Sequence, residues 1–195
     1  MGATEISGKT DSAVGEKLKA AVIIPAHDYP ERLDRLLKAL AEQTAEFPWR
    51  TVVVDDGSAL PLKEIADKHA GVHYLYQKQS GPSLARNRGA AVLDAEILVF
   101  IDQDCLPDPE WLDIMLRPFD DPEVIGAKGV FTTRQKAPVA RFVQAEYEEK
   151  YHHLQKKNRI NFIDSYSAAF RSRDFKDCGG FDSSFPHRLP LTSSR

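Results

Sequence analysis

Three short apolar runs in this chain are each followed closely by acid: Ala20 to Ile24 by Asp28, Thr51 to Val54 by Asp55-Asp56, and Ile97 to Ile101 by Asp102-Gln103-Asp104. Runs of this length and β-branched content read as strands buried on both faces. Helical periodicity lies between them. Leu33, Leu36, Leu37 and Leu40 follow one another at i, i+3, i+4 and i+7, which gives one apolar helix face. Asp28, with Glu31 three positions later, has the form of a capping box and predicts that this helix begins there. Leu62, Ile65 and Ala66 suggest a short helix, Val72 to Tyr76 a further strand, and Ser83 to Leu93 another helix. Such alternation predicts an α/β fold with a mostly parallel sheet covered on both faces. Ligands of these sheets collect beyond the carboxyl ends of the strands, so the three acid-bearing loops are expected on one edge.

The third loop carries the most specific chemistry. Successive strand residues point to opposite faces, so Asp102 and Asp104 share a side if the extended conformation continues through the motif. Two carboxylates on one side suit Mg²⁺ or Mn²⁺, which take oxygen ligands and usually keep water or phosphate oxygens as well. A solvated turn before Pro107 explains the same residues without a metal.

Composition removes several other classes. A 195-residue chain with 42% hydrophobic and 28% charged residues is sized and balanced for one globular domain. A net charge of −3 with dispersed basic residues gives no reason to expect a nucleic-acid partner. No run approaches the roughly 18 apolar residues of a membrane span. The polar segment 1–17 lacks the apolar core of a signal peptide and reads as a flexible leader. Cys105 and Cys178 are far apart in sequence, which favours reduced thiols and a cytoplasmic setting.

Five segments, taken in order, resemble the family 2 glycosyltransferases: Val22 to Leu40, Val52 to Ser58, Gly81 to Ala90, Phe100 to Leu112, and Ser167 to Asp182. The resemblance covers about Ala20 to Phe185 and implies a Rossmann-like GT-A fold that uses a nucleotide-diphospho-sugar. It also implies the roles of the loops. Pro25, Ala26, His27 and Asp28 would surround the base and ribose, with Asp56 accepting a hydrogen bond from an imide N–H and Asp55 supporting its loop. Gln103 lies in the donor-binding turn. Arg86 or Arg88 would face the diphosphate from a helix N-terminal region. Asp104 is the preferred ligand of Mn²⁺ or Mg²⁺, and Asp102 bridges to ribose or to metal-bound water. The reaction implied is inverting transfer of a sugar from a UDP- or GDP-type donor to the hydroxyl of a glycan, lipid or small-molecule acceptor.

One part of the pattern departs. Similar enzymes continue past the segment that corresponds to Phe185-Pro186 to an acidic pair that carries the acceptor base, whereas no Asp or Glu follows Asp182 here. The expectation is a GT-A domain over 18–186, with a nucleotide-sugar half at about 18–107 and an acceptor half at about 108–186. An atypical tail, 187–195, leaves the C-terminal part incomplete. Donor binding without turnover, as in a non-catalytic nucleotide-sugar-binding module, is therefore one alternative. A nucleotidyltransferase is another, although neither a G-x-G-x-x-G nor a Walker-type loop is present.

The acceptor half is less specific. Val139, Phe142, Val143, Tyr147, Tyr151 and Leu154 fall near one face of a helix from about Pro138 to Lys157, which predicts core or acceptor-side packing. Its amphipathic surface also suits peripheral membrane association. His152-His153 lacks the i,i+4 spacing of a helical metal pair. A short strand at Ser167 to Phe170 should lead into a helix that ends near Cys178, with Gly179 as its cap.

Overall fold

The computed structural model describes residues 17–130, 132–133, 137–155, 160 and 163–184, with the side chains of 153–155 left aside. Residues 1–16 of the leader, Leu154's side chain, Lys156, Lys157, Phe185, Pro186 and the tail 187–195 lie outside the described residues. The elements run β1 (Leu18–Ala26), α1 (Pro30–Ala41), β2 (Trp49–Asp56), α2 (Lys63–Ala66), β3 (Val72–Gln77), α3 (Pro82–Ala90), β4 (Ala95–Ile101), α4 (Trp111–Leu116), β5 (Gly126–Lys128), α5 (Pro138–Gln155), β6 (Ser167–Arg171) and α6 (Ser172–Asp177). A single 3₁₀ turn, Arg117–Asp120, extends α4.

The six strands form one sheet in the order β3-β2-β1-β4-β6-β5. β1 pairs in parallel with β2 and β4, and β2 with β3, while β6 runs antiparallel to β4 and β5. The sheet is thus mostly parallel, as the alternation of elements predicts. Side-chain alternation divides its core in two. Val22, Ile24, Val53, Ile97, Val99 and Ile101 pack under α1 and α4, whereas Ile23, Val52, Val54, Leu98 and Phe100 pack under α3. Gly89 makes the second contact possible. A Cβ there would lie 2.5 Å from Ile23 and 3.1 Å from Val54, so only glycine lets α3 sit this close to the sheet. Phe100, Phe170, Phe175 and Phe181 close the same layer with ring centroids 5.0 to 6.3 Å apart.

Two local expectations are corrected. α1 begins at Pro30, and its N-cap is Tyr29 in the left-handed region with no side-chain cap. Asp28 cannot complete a capping box because its carboxylate instead accepts the Ala59 backbone N–H at 2.8 Å. In α5, Val139, Phe142 and Val143 are exposed, Tyr147 is half-buried and Tyr151 is buried. The predicted apolar face is therefore packed only toward its C-terminal end among the described residues. No helix among the described residues is long and apolar enough to cross a membrane.

The C-terminal end of α6 follows its prediction closely. Gly179 and Gly180 both have positive φ, and their N–H groups donate to the carbonyls of Lys176 and Phe175 at 3.0 Å. This is a Schellman cap, which satisfies carbonyls that the end of the helix leaves unpaired.

Candidate donor-binding site

β1, β2 and β3 lie to one side of the sheet and β4 to the other, so chain order reverses between β1 and β4. A crevice at such a reversal is the usual ligand position in an open α/β sheet. Here the loop after β1 and the turn after β4 are tied across it. The His27 backbone N–H donates to Gln103 Oε1 at 2.6 Å, and Gln103 Nε2 donates to the Asp28 carbonyl at 3.0 Å. Both ends of the Gln103 amide therefore hold the β1 loop in place.

The paired acids at the end of β2 do different work. Asp55 is fully buried and accepts from the backbone N–H groups of Ser58 and Leu62 at 2.9 Å and from the Tyr74 hydroxyl at 2.7 Å. Burial and this bond raise the Tyr74 phenol above its ordinary range. Asp56 is 5% exposed and accepts from Gln77 Nε2, Ser80 N–H and Gly81 N–H, each at 2.7 Å. It thereby pins the loop that leads into α3. A carboxylate offers roughly four acceptor directions. Oδ1 uses two and Oδ2 one, so a direction on Oδ2 is left open among the described residues. Gly57 closes this turn at φ +77°, and a Cβ on it would lie 2.6 Å from the Gln79 backbone nitrogen.

His27 stands beside Asp56. Its Nδ1 lies 3.0 Å from the Asp56 carbonyl and its Nε2 3.3 Å from Gln79 Nε2, an arrangement that suits a proton on Nδ1. Asp28 donates its N–H to Ser58 Oγ at 2.8 Å. Pro25 is half-buried near the end of β1, and the Ala26 side chain belongs to the core.

The D-x-D motif is a turn. β4 ends at Ile101, and the Cys105 N–H donates to the Asp102 carbonyl at 3.0 Å. The extended premise for Asp102 and Asp104 is thus corrected: the chain bends so that the two carboxylates meet different cations. Asp102 receives Arg86 Nη2 at 2.5 Å. Burial raises the Asp102 carboxyl above its usual range, and the Arg86 guanidinium partly opposes that rise. Asp104 has a 61% exposed side chain, with Arg32 3.9 Å away. Arg86 is 6% exposed, and its Nε has no hydrogen-bond partner. Arg88 turns away and donates to the Tyr76 carbonyl at 3.1 Å. Burial, and then the charges of Asp102 and Asp104, push the thiol of Cys105, next to the motif, up to about 12.

No group of three or more His, Cys, Asp or Glu that would enclose a metal occurs among the described residues. An exposed carboxylate with one loosely held counter-ion 3.9 Å away fits a cation that uses one or two protein carboxylates and takes its other oxygens from water or phosphate.

The model of the family described as glycosyl transferase family 2 matches residues 21–179. The chain belongs to glycosyl transferase family 2. The pre-mycofactocin glycosyltransferase of Mycobacterium tuberculosis is 29% identical over 170 residues, covering 83% of this chain and 35% of that protein. The glycosyltransferase AglE of Haloferax volcanii is 33% identical over 99 residues, covering 48% of this chain and 33% of its own length. The chain thus spans about a third of the length of these relatives. Among solved structures, the mannosyltransferase PcManGT of Pyrobaculum calidifontis, in complex with GDP-Man and Mn²⁺, superposes with a TM-score of 0.71 at 19% identity over 89% of this chain and 50% of that one. S. aureus TarS 1–349 in complex with UDP superposes at 0.65 with 23% identity over 90% and 52%. These likenesses establish the GT-A fold.

Some residues that hold these loops carry no motif signal of their own. Gln77 anchors Asp56, and Tyr29 shapes the loop after β1. Asn87 lies inside the Gly81 to Ala90 segment, but its role was not legible there: it donates to the Phe181 carbonyl at 2.7 Å and accepts the Phe181 N–H at 2.8 Å. Its partner lies 94 positions away, and nothing local announces such a pairing.

Proposed function

We propose that the edge formed by the ends of β1, β2 and β4 is the donor half-site of an inverting glycosyltransferase that takes a nucleotide-diphospho-sugar of UDP or GDP type. The observation that carries this reading is the division of labour among the acids. Asp55 is consumed by structure, while Asp56 keeps one acceptor direction and Asp104 stays exposed at the reversal point. In this reading the base lies near Asp56 and His27, between the loops led by Pro25, Ala26 and Asp28. Asp102, held by Arg86, faces the ribose, and Gln103 keeps the two walls of the crevice together. The solved relatives contain GDP-Man with Mn²⁺ and UDP, which supports a donor of this class.

Asp104 would hold Mn²⁺ or Mg²⁺, with Asp102, tied to Arg86, as the second carboxylate of the motif. The ion would supply electrostatic stabilisation of the departing nucleoside diphosphate. The protein's own contribution is to hold the leaving group and sugar in line and leave the opposite side open to an acceptor hydroxyl. A carboxylate base must reach that hydroxyl. Asp182 does not suit the part, because the Ser184 side chain, and then the Ser184 backbone N–H that donates to its Oδ1 at 2.8 Å, hold its carboxyl below the usual range. That turn favours, as a second reading, a module that binds the donor without turning it over. The nucleotide-sugar half at 18–107 and the acceptor half at 108–186 are domains of this proposal. A cytoplasmic location, peripheral to a membrane if the acceptor is a lipid, agrees with the free Cys105 and Cys178.

Incubation with UDP- and GDP-sugars and Mn²⁺, followed by assay of released nucleoside diphosphate and of donor binding by calorimetry, tests both readings. Binding with release supports the transferase, and binding without release supports the module. Absence of binding by either nucleotide class contradicts the donor assignment.

A further inference from the structure

Tyr29 and Arg32 stand on the donor edge although neither belongs to the acid motifs that define it. Asp28 and Tyr29 are consecutive left-handed residues, at φ +55° and +52°. A bulky side chain rarely adopts this conformation, which persists where its surroundings enforce it. Here they do so. Ser58, Gln103 and Ala59 fix Asp28 from three directions, and the N–H groups of Arg32 and Leu33 donate to the Tyr29 carbonyl at 3.0 and 3.4 Å. The result places the Tyr29 ring 4.3 Å from the Arg32 guanidinium. That guanidinium lies 3.9 Å from Asp104, with both side chains about half exposed. No other cation pairs with Asp104 among the described residues.

We propose that Arg32 is a resident counter-ion of the donor edge. It neutralises Asp104 when no cation is bound, and it turns to a phosphate oxygen when a metal ion and a nucleoside diphosphate are held there. The inference rests on the reading of Asp104 as the metal carboxylate. The pair suits exchange because 3.9 Å exceeds the roughly 2.7–2.9 Å of a strong charge-assisted hydrogen bond, and an exposed pair of this kind holds weakly. A divalent ion at Asp104 repels a guanidinium this close. Phosphate oxygens on the same ion then offer a planar guanidinium its preferred partner at the same place. The Tyr29 ring limits how far the Arg32 side chain departs between the two states.

The test is a pair of titrations on wild type, Arg32→Met and Arg32→Lys. Mn²⁺ alone is followed by the loss of the free-ion paramagnetic resonance signal, and UDP and GDP at saturating Mn²⁺ are followed by calorimetry. Arg32→Met should bind Mn²⁺ roughly three- to tenfold tighter, because a neighbouring positive charge is gone. It should bind the nucleoside diphosphate roughly five- to thirtyfold weaker, because a charged donor to phosphate is lost. Arg32→Lys should return Mn²⁺ affinity to within about twofold of wild type and recover only part of the nucleotide affinity, because it keeps the charge and loses the fork. Opposite signs in Arg32→Met support the proposal, since general loosening of the loop weakens both. Unchanged affinities, or two that fall together, overturn it. If Arg32→Met does not fold, the Arg32→Lys pattern decides alone, and equal loss on both axes overturns the proposal. A wild-type chain that binds neither Mn²⁺ nor nucleotide overturns the donor-site reading and this inference with it.

Discussion

The donor edge and the region around α5 and β6 hold their charges in opposite ways. At the donor edge, acids are fixed largely by backbone donors of nearby loops: Ser58 and Leu62 for Asp55, Ser80 and Gly81 for Asp56. Around β6, side chains from distant segments hold one another. Lys128 pairs with Asp164, which also has Lys150 3.6 Å away, and the Tyr151 and Tyr166 hydroxyls meet. The Lys128 ammonium lies 5.1 Å from the Tyr151 ring centroid, and burial pushes the Tyr166 phenol up. The first arrangement fixes a crevice whose walls are set by turns. The second leaves shape to side-chain packing, and α5 keeps Val139 and Phe142 in solvent.

The most disruptive way to break the contrast is Asp56→Ala. It would strand two backbone donors and the Gln77 amide, where each buried unpaired group costs about 1–3 kcal/mol. Urea denaturation should show a loss of about 3–5 kcal/mol, and nucleotide binding should disappear. Arg86→Met comes next. The pair it removes is buried on the Arg86 side and a third exposed at Asp102, so a loss of about 1–2 kcal/mol is expected in the same assay. Phe142→Ser should change stability by less than about 0.5 kcal/mol, since Phe142 is 65% exposed. A large loss there would mean that α5 is as tightly built as the donor edge.

Thiol chemistry sharpens the comparison without a substitution. Cys178 is exposed, whereas Cys105 is half-buried with a thiol pushed up to about 12. Because the thiolate is the reactive form, raising this value protects Cys105 at every pH below it. Iodoacetamide at pH 8 should label Cys178 first, and mass spectrometry should find Cys105 unmodified until the chain is unfolded. Rapid labelling of both would show that the turn after β4 opens readily.

The same contrast explains what could be read in advance. β1, β2 and β4 are legible because an apolar run followed by an acid is a local signal, and parallel order follows from the helices between the runs. Gly179 is legible as a cap for the same reason. Asp102 and Asp104 are legible as acids at the end of β4 but not as a geometry, because the turn at Cys105 replaces the extended spacing that would have set them side by side. Asp28 looks like a cap from its spacing to Glu31, but the loop from β2 captures its carboxylate first. Arg32 and Asn87 were out of reach, since their partners Asp104 and Phe181 are joined to them only by the tertiary fold.

The central claim is that Asp104 serves ligand rather than fold, and it is tested most directly by calorimetric titration of UDP and GDP, with and without Mn²⁺, into wild type and Asp104→Ala. An exposed side chain with one pair at 3.9 Å should leave the thermal midpoint of the variant nearly unchanged. The account predicts nucleotide binding strengthened by Mn²⁺ in wild type and no Mn²⁺ dependence in Asp104→Ala. Equal Mn²⁺-dependent binding in both proteins would contradict it.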